Sequence, residues 1–314
     1  MVTDMLDKQL AFPTTSCRRM KDQLWSINLQ FISGLDKLAK IERAITPGNF
    51  KPRGKPIGGY VYPCRLSKII RGKLHATRKY VDKAEAALPG SSYHFYHPFW
   101  DLLENTSLNT SDIISVIRDL RTKPANTLLI NNQQLADEFL LSIEKKSNFD
   151  ALAAILGVCQ ICLRSVPKNK ELLLKVFSHM IIIFTRISAQ LPFYYISDNL
   201  YKYLKYHYFD LIKDEEKWTY QTEEDYVFQI ITIERFMIKI VEQLDILKYP
   251  FVPPSCLHIV ESHLTEPVMN KLLNRDIVTS DGTLKDKGSI KQWPEIQALT
   301  AELQKWERKE HLIQ

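Results

Sequence analysis

Residues 223–247 read EEDYVFQIITIERFMIKIVEQLDIL. Large apolar side chains recur there at alternating steps of three and four, at Ile230, Ile233, Met237, Ile240, Leu244 and Leu247. This spacing places them on one face of an α-helix, and three heptads are few for a free-standing coiled coil. We therefore interpret the segment as a helix whose apolar stripe packs in the core, with a partner-binding seam as the alternative.

The rest of the chain favours the same kind of structure. Glycine accounts for only 10 of the 314 residues, and good helix formers fill the stretches between the breakers. The fold class is therefore predicted to be all-α, as a multi-helix bundle or an irregular α-solenoid-like array without a fixed repeat. Residues 276–284 also fit a small β-hairpin that turns at Asp281-Gly282. Further helices are predicted at about 16–45, 65–88, 112–121, 132–145, 149–166, 170–190, 197–212, 255–264 and 294–311.

A polar break from Asn105 to Thr110 is the best domain boundary in the sequence. It separates a basic N-terminal helical part, residues 1–104, from a larger helical body, residues 105–314. One continuous domain is the alternative.

No segment has the length and composition of a membrane span or a secretory signal. Residues 1–12 lack a continuous apolar run, and charged side chains interrupt the most apolar stretch, Leu172–Ile187. A transmembrane helix needs about 20 apolar residues, so we interpret this stretch as a buried core helix. Five scattered cysteines indicate a reducing compartment. We expect a soluble, intracellular protein, in the cytoplasm or in the nucleus or nucleoid.

Positive charge is concentrated near the start of the chain. Residues 1–90 contain 17 Lys and Arg against 7 Asp and Glu, a balance of +10, whereas the remainder has a balance of −4. Between Lys51 and Lys83 there are ten basic residues and one acid, Asp82. On a helical wheel of Arg65–Ala84, apolar side chains share one arc, which also takes Lys73, and the other cations face outward. The predicted binding residues are Lys51, Arg53, Lys55, Arg65, Lys68, Arg71, His75, Arg78, Lys79 and Lys83.

Phosphate groups are the commonest polyanion for such a surface, because each Lys or Arg contact releases condensed counterions. The leading hypothesis is a non-enzymatic accessory protein that binds DNA or RNA without sequence specificity through this loop and helix face. The alternative is a helical protein-interaction module whose cations pair with an acidic partner. A solvated face beside an acidic patch of the same chain, and an anionic membrane surface, also stay open.

An aromatic and histidine cluster, Tyr93–Trp100, reads YHFYHPFW. Its rings fit packing between helices, and stacking on nucleic-acid bases is the alternative.

Little in the sequence supports catalysis or a metal. Cys159 and Cys162 lie in an apolar helix and are interpreted as core residues, and the spacing of Cys256 and His258 suits no shared helix face. Acids such as Glu234 are interpreted as solvated charges on helices. No metal or cofactor is predicted, and an enzyme with a dispersed active site is the remaining possibility.

Overall fold

A computed structural model describes residues 16–35, 37–47, 65–104, 108–120, 133–164, 170–212, 223–247, 252, 256–274 and 283–311. Helices make up the regular structure of these residues, which confirms the all-α prediction. Most of the predicted hairpin, residues 276–282, lies outside the described residues. The α-helices are α1 Cys17–Ser33, α2 Leu38–Ile45, α3 Arg65–Ile70, α4 Arg78–Ala87, α5 Tyr93–Tyr96, α6 Phe99–Glu104, α7 Thr110–Asp119, α8 Gln133–Lys146, α9 Phe149–Arg164, α10 Lys170–Ser188, α11 Ser197–His207, α12 Glu224–Gln243, α13 Leu257–His263, α14 Glu266–Asn274, α15 Lys287–Ile290 and α16 Pro294–His311.

The chain divides into two compact units. The first consists of residues 1–107 together with 195–204, and the second of residues 108–194 together with 205–314. Helices α1–α6 belong to the first unit, and α7–α10 and α12–α16 to the second. The division into two independent domains, with the boundary between residues 104 and 105, stays a prediction.

In the first unit, α1 packs against α2, α3, α5 and α6. The indole of Trp25 is fully buried and meets the rings of Tyr80 and Phe95 edge to face, with centroids 5.8 and 5.9 Å away. These aromatic contacts join α1 to both α4 and α5. Because α4 carries several of the predicted binding residues, the contact with Tyr80 also helps to position those residues.

The predicted helix at 16–45 is wrong as a single element, because it is two helices. Gly34 follows α1 with a φ of 60°, and its N–H donates to the carbonyl of Phe31. Glycine adopts this left-handed conformation with little strain, and it ends helices for that reason. The chain then turns before α2, which packs against α3 and α4.

In the second unit, α9 is buried on every side from Ala151 to Cys162 and packs against α7, α8 and α10. Gly157 permits a close approach of α7, because an added Cβ would lie 2.9 Å from Cδ1 of Ile117. Cys159 and Cys162 are buried in this helix, as the core interpretation predicted. Burial raises the pKa of Cys162 to about 11, so its thiol stays protonated at neutral pH.

The segment 223–247 forms α12, but its predicted apolar stripe is only partly right. Ile240 and Leu244 are buried, whereas Ile233 is 46% exposed. The buried stripe lies mainly one residue along, at Val227, Ile231, Glu234, Ile238 and Val241. The carboxylic acid Glu234 therefore occupies a core position. Hydrophobic periodicity alone does not predict the burial of this acid.

Among the described residues, no single helix is long and apolar enough to cross a membrane. One pair of consecutive helical segments, Lys170–Ser188 and Phe193–Leu211, meets the criterion only when both are counted across a sharp bend. The apolar residues of α10 are mostly buried, as the core-helix interpretation predicted.

Candidate nucleic-acid interface

The predicted binding residues fall into two groups. Lys51, Arg53 and Lys55 lie outside the described residues. The other seven lie on α3, on α4 and on the turn that joins them.

The predicted continuous helix at 65–88 is wrong, because α3 ends at Ile70 and α4 begins at Arg78. Gly72 has a φ of 64°, the N–H of Gly72 donates to Ile69 and the N–H of Lys73 donates to Lys68. This pair of bonds is a Schellman motif, which closes a helix at a left-handed glycine. Arg19 reinforces the turn from α1, where its Nη2 donates to the carbonyl of Arg71 over 3.4 Å.

The break between α3 and α4 changes the exposure of two residues from that predicted by the helical wheel. Lys73 and Leu74 were expected on the apolar arc, but both are exposed because they follow the turn at Gly72. The other apolar residues of the arc are buried as predicted: Leu66, Ile69, Ile70, Tyr80, Val81 and Ala84. Outside the core lie six exposed cations, which we call the basic surface: Lys68, Arg71, Lys73, Arg78, Lys79 and Lys83.

Gly72→Ala is expected to destabilise the first unit by about 2 kcal/mol, since a left-handed alanine costs about 1–2 kcal/mol and its Cβ would overlap the Arg19 guanidinium. Gly34→Ala is the matched control. Gly34 has a similar φ of 60° but nothing within 4 Å of the added Cβ, so only the backbone cost applies. Urea denaturation of both variants measures the difference. Equal losses would contradict a role for Arg19 in supporting the turn.

Arg65 is only partly exposed and is engaged within the protein. Its backbone N–H donates to Oε1 of Glu42 over 2.9 Å, and its Nη2 donates to the Thr77 hydroxyl over 3.3 Å. The guanidinium carbon lies 4.5 Å from the centre of the Tyr80 ring, a cation–π contact. Arg65 therefore links the starts of α3 and α4 and leaves part of its charge at the surface.

His75 is also held from within. Its Nδ1 lies 2.6 Å from Oδ2 of Asp22, whose side chain is 3% exposed, while half of the His75 side chain remains exposed. Burial raises the pKa of Asp22, and the hydrogen bond with His75 acts in the opposite direction. The contact ties the turn between α3 and α4 to α1.

The two acids of α4, Asp82 and Glu85, both accept hydrogen bonds from groups of the first unit. Asp82 accepts a 2.7 Å hydrogen bond from the Tyr96 hydroxyl. Glu85 accepts from the backbone N–H groups of Gly90 and Ser92, which lower its pKa. By contrast, within the described part of the chain, Lys68, Lys79 and Lys83 make no ion pair with a carboxylate.

Positive charge is concentrated at the start of α4. Helix N-termini have a positive dipole end and are usually compensated by acids in the first turn. The first turn of α4 has no acid and begins with Arg78 and Lys79, and the Thr77 side chain makes no capping bond. An external anion would therefore be favoured there by the dipole and by the side chains together.

The aromatic cluster is divided between core and surface. Phe95, His97, Phe99 and Trp100 are buried, and the Trp100 indole donates to the carbonyl of His94 over 2.7 Å. Burial lowers the pKa of His94 to about 4, which keeps it neutral. Packing is therefore confirmed for these side chains. Tyr93 and Tyr96 differ, with 46% and 43% of their surface exposed.

The second unit holds a cluster of charges around the buried Glu234, which we call the buried charge cluster; its other members, Glu144, His179, Arg186 and Glu261, are partly exposed. Arg186 lies 3.6 Å from Oε1 of Glu144 and 3.9 Å from Oε2 of Glu261. Glu234 is 7% exposed, so its interpretation as a solvated charge is wrong. Burial, and then the charge of Glu261, raise the pKa of Glu234 to about 8.

Among the described residues, no group of three or more His, Cys, Asp or Glu side chains is placed so that it could hold a metal ion. Cys256 is buried, and His263 lies 2.8 Å from a carboxylate oxygen of Glu302.

The sequence matches no protein-family model, and comparisons with curated proteins and with solved structures gave no match.

Proposed function

We propose that the first unit binds the phosphate backbone of nucleic acid through the basic surface, and that the protein acts as a non-enzymatic nucleic-acid-associated accessory protein. The observation that carries this proposal is the set of six exposed cations on α3, on α4 and on the turn between them. They lie opposite the buried apolar residues of α3 and α4, so the core fixes which way they face. Such an arrangement suits a polyanion, because several cations can engage neighbouring phosphates at once.

The surroundings of the basic surface support the same ligand. Asp82 and Glu85 receive donors from residues 90–96, so their charges are partly compensated beside the cations. The first turn of α4 adds a positive dipole end. A ligand with several regularly spaced negative charges can interact with the cations of the basic surface and with the first turn of α4 at the same time, which a single anion cannot do.

Charge reversal tests the proposal. The variant Lys68→Glu, Arg71→Glu, Arg78→Glu and Lys79→Glu is expected to bind arbitrary-sequence DNA at least about 100-fold more weakly at low salt. The slope of log affinity against log salt is expected to fall by about 3, since each lost phosphate contact contributes about 0.7 to 0.9. Fluorescence anisotropy with labelled single-stranded and duplex oligonucleotides, repeated over a salt series, measures both quantities.

The matched control reverses four exposed cations of the second unit: Lys287, Lys291, Lys305 and Arg308. Both variants change the net charge from +6 to −2, since each of the four reversals lowers it by two. The control is expected to retain most of its affinity, and an equal loss would mean that net charge alone attracts DNA. Absence of binding by the wild-type protein at low salt would reject the proposal. An acidic protein that copurifies with the wild type and is lost with the first variant would then favour the protein-interaction alternative.

A further inference from the structure

We infer that the nucleic acid taken by the basic surface is single-stranded, with unstacked bases resting on Tyr93 and Tyr96; this inference rests on the proposed function. Both tyrosines belong to the one-turn helix α5, and they are three residues apart. Residues at this spacing share a helix face. The two exposed rings therefore form one aromatic face on the same unit as the basic surface.

Tyr96 connects that face directly to α4. Its hydroxyl donates to Oδ1 of Asp82 over 2.7 Å, and Asp82 lies one helical turn after Arg78 and beside Lys83. Partial burial and the bond to Asp82 raise the pKa of Tyr96 to about 12, while the charge of Arg78 acts in the opposite direction. The hydroxyl is therefore protonated at neutral pH and holds the ring beside the cations of α4.

The ring of Tyr93 packs against two histidine rings of the same segment. It meets the rings of His94 and His97 edge to face, with centroids 5.1 Å away in each case. His97 is 3% exposed. A ring packed against two neighbouring rings keeps little freedom to lose when a base stacks on its exposed surface.

Lys21 of α1 is a further cation close to α5. Its Nζ lies 4.8 Å from the centre of the Phe95 ring, which is between the two tyrosines in sequence. A cation of α1 therefore lies near α5, in addition to those of α4. A strand whose bases rest on α5 would find cations on both of these neighbouring helices.

The exposed rings discriminate between forms of nucleic acid. In a duplex the flat faces of the bases are stacked on one another, so only phosphates, sugars and base edges are offered to a protein. In a single strand the bases can turn out and stack on aromatic rings, and this strengthens binding by about 5- to 150-fold per base. Cations alone would bind the duplex as well as the single strand, whereas the tyrosines add affinity only for the strand with accessible bases.

An abasic strand separates the bases from the backbone. The wild-type protein is compared on three labelled probes of equal length: oligothymidine, the corresponding abasic strand and a duplex. We expect oligothymidine to bind about 10- to 100-fold more tightly than the abasic strand. In the variant Tyr93→Leu and Tyr96→Leu this preference is expected to disappear, while affinity for the duplex changes less than about 3-fold.

Two further variants complete the experiment. Tyr93→Phe with Tyr96→Phe keeps both rings and is expected to retain the preference for oligothymidine, and the nearly unchanged duplex affinity of the leucine variant shows that this variant is folded. Tyr206→Leu removes a tyrosine of the second unit that is 75% exposed, and it is expected to change nothing.

Equal binding of oligothymidine and the abasic strand by the wild type would overturn the inference but leave the proposed function intact. Equal losses of single-stranded and duplex binding in the leucine variant would also overturn it. If the wild type binds none of the three probes, the proposed function itself fails.

Discussion

Replacing Glu234 by glutamine is expected to stabilise the protein increasingly as the pH rises from about 5 to 8. The carboxyl of Glu234 is buried, and its pKa is raised from 4.5 to about 8. Between these two values the folded protein holds a proton that the unfolded chain has released. Stability therefore falls as the pH rises through this window, and the contribution present below pH 4.5 is lost by about pH 8.

Glutamine has the same shape and does not titrate. The difference in unfolding free energy between Glu234→Gln and the wild type is expected to widen by about 1.4 kcal/mol per pH unit inside the window. The other ionisable groups of the buried charge cluster are Glu144, His179, Arg186 and Glu261. They are common to both proteins, so to a first approximation their titration cancels in the difference.

Urea denaturation at pH 5, 6, 7 and 8 measures this prediction. Glu223→Gln is the control, because Glu223 is exposed at the start of the same helix, and its stability difference is expected to stay within about 0.5 kcal/mol. Parallel stability curves for Glu234→Gln and the wild type would show that the carboxyl is ionised in the folded protein.

The position of Glu234 also shows where sequence patterns stop being informative about α12. Helix formation followed from the spacing of its apolar side chains, and the helix forms at Glu224–Gln243. The choice of buried face did not follow, because isoleucines lie both in the buried stripe and on the face beside it. Periodicity counts apolar residues, whereas burial here depends on Arg186 and the rest of the buried charge cluster, which other helices supply.

The two glycine breaks illustrate a second limit. Gly34 and Gly72 both lie inside amphipathic patterns that continue on either side, so each pattern suggested one long helix. A glycine within a helix costs only about 1 kcal/mol relative to alanine, which does not decide between a tolerated residue and an end. Tertiary contacts decide at Gly72, where Arg19 and the pairing of Asp22 with His75 hold the turn.

The candidate interface could be predicted in outline but not in geometry. The concentration of cations in residues 51–83 and the apolar face opposite them are both visible in the sequence. The engagement of Arg65 and His75 by other helices is not, because their partners Glu42 and Asp22 are 23 and 53 residues away in the chain. The exposure of Tyr93 and Tyr96 likewise depends on how their neighbours pack against α1.

Trp25→Ala is expected to lower the unfolding free energy by about 3 to 5 kcal/mol, as is typical when a large aromatic side chain is removed from a core. Trp25 is fully buried and contacts Tyr80 of α4 and Phe95 of α5. Its loss leaves a cavity at the point where these two helices meet α1. Native globular proteins have unfolding free energies of about 5–15 kcal/mol, so the loss expected for Trp25→Ala is a large fraction of the total.

Urea denaturation of Trp25→Ala measures the loss, and two variants make the interpretation specific. Phe31→Ala removes an aromatic ring from the same helix, but Phe31 is 41% exposed, so a change of less than about 1 kcal/mol is expected. Trp25→Phe keeps a ring between Tyr80 and Phe95 and removes an indole N–H that has no acceptor among the described residues. It is therefore expected to recover more than half of the stability lost in Trp25→Ala. Similar losses for Trp25→Ala and Phe31→Ala would contradict the central position of Trp25, because only Trp25 of these two side chains is buried in contact with Tyr80 and Phe95.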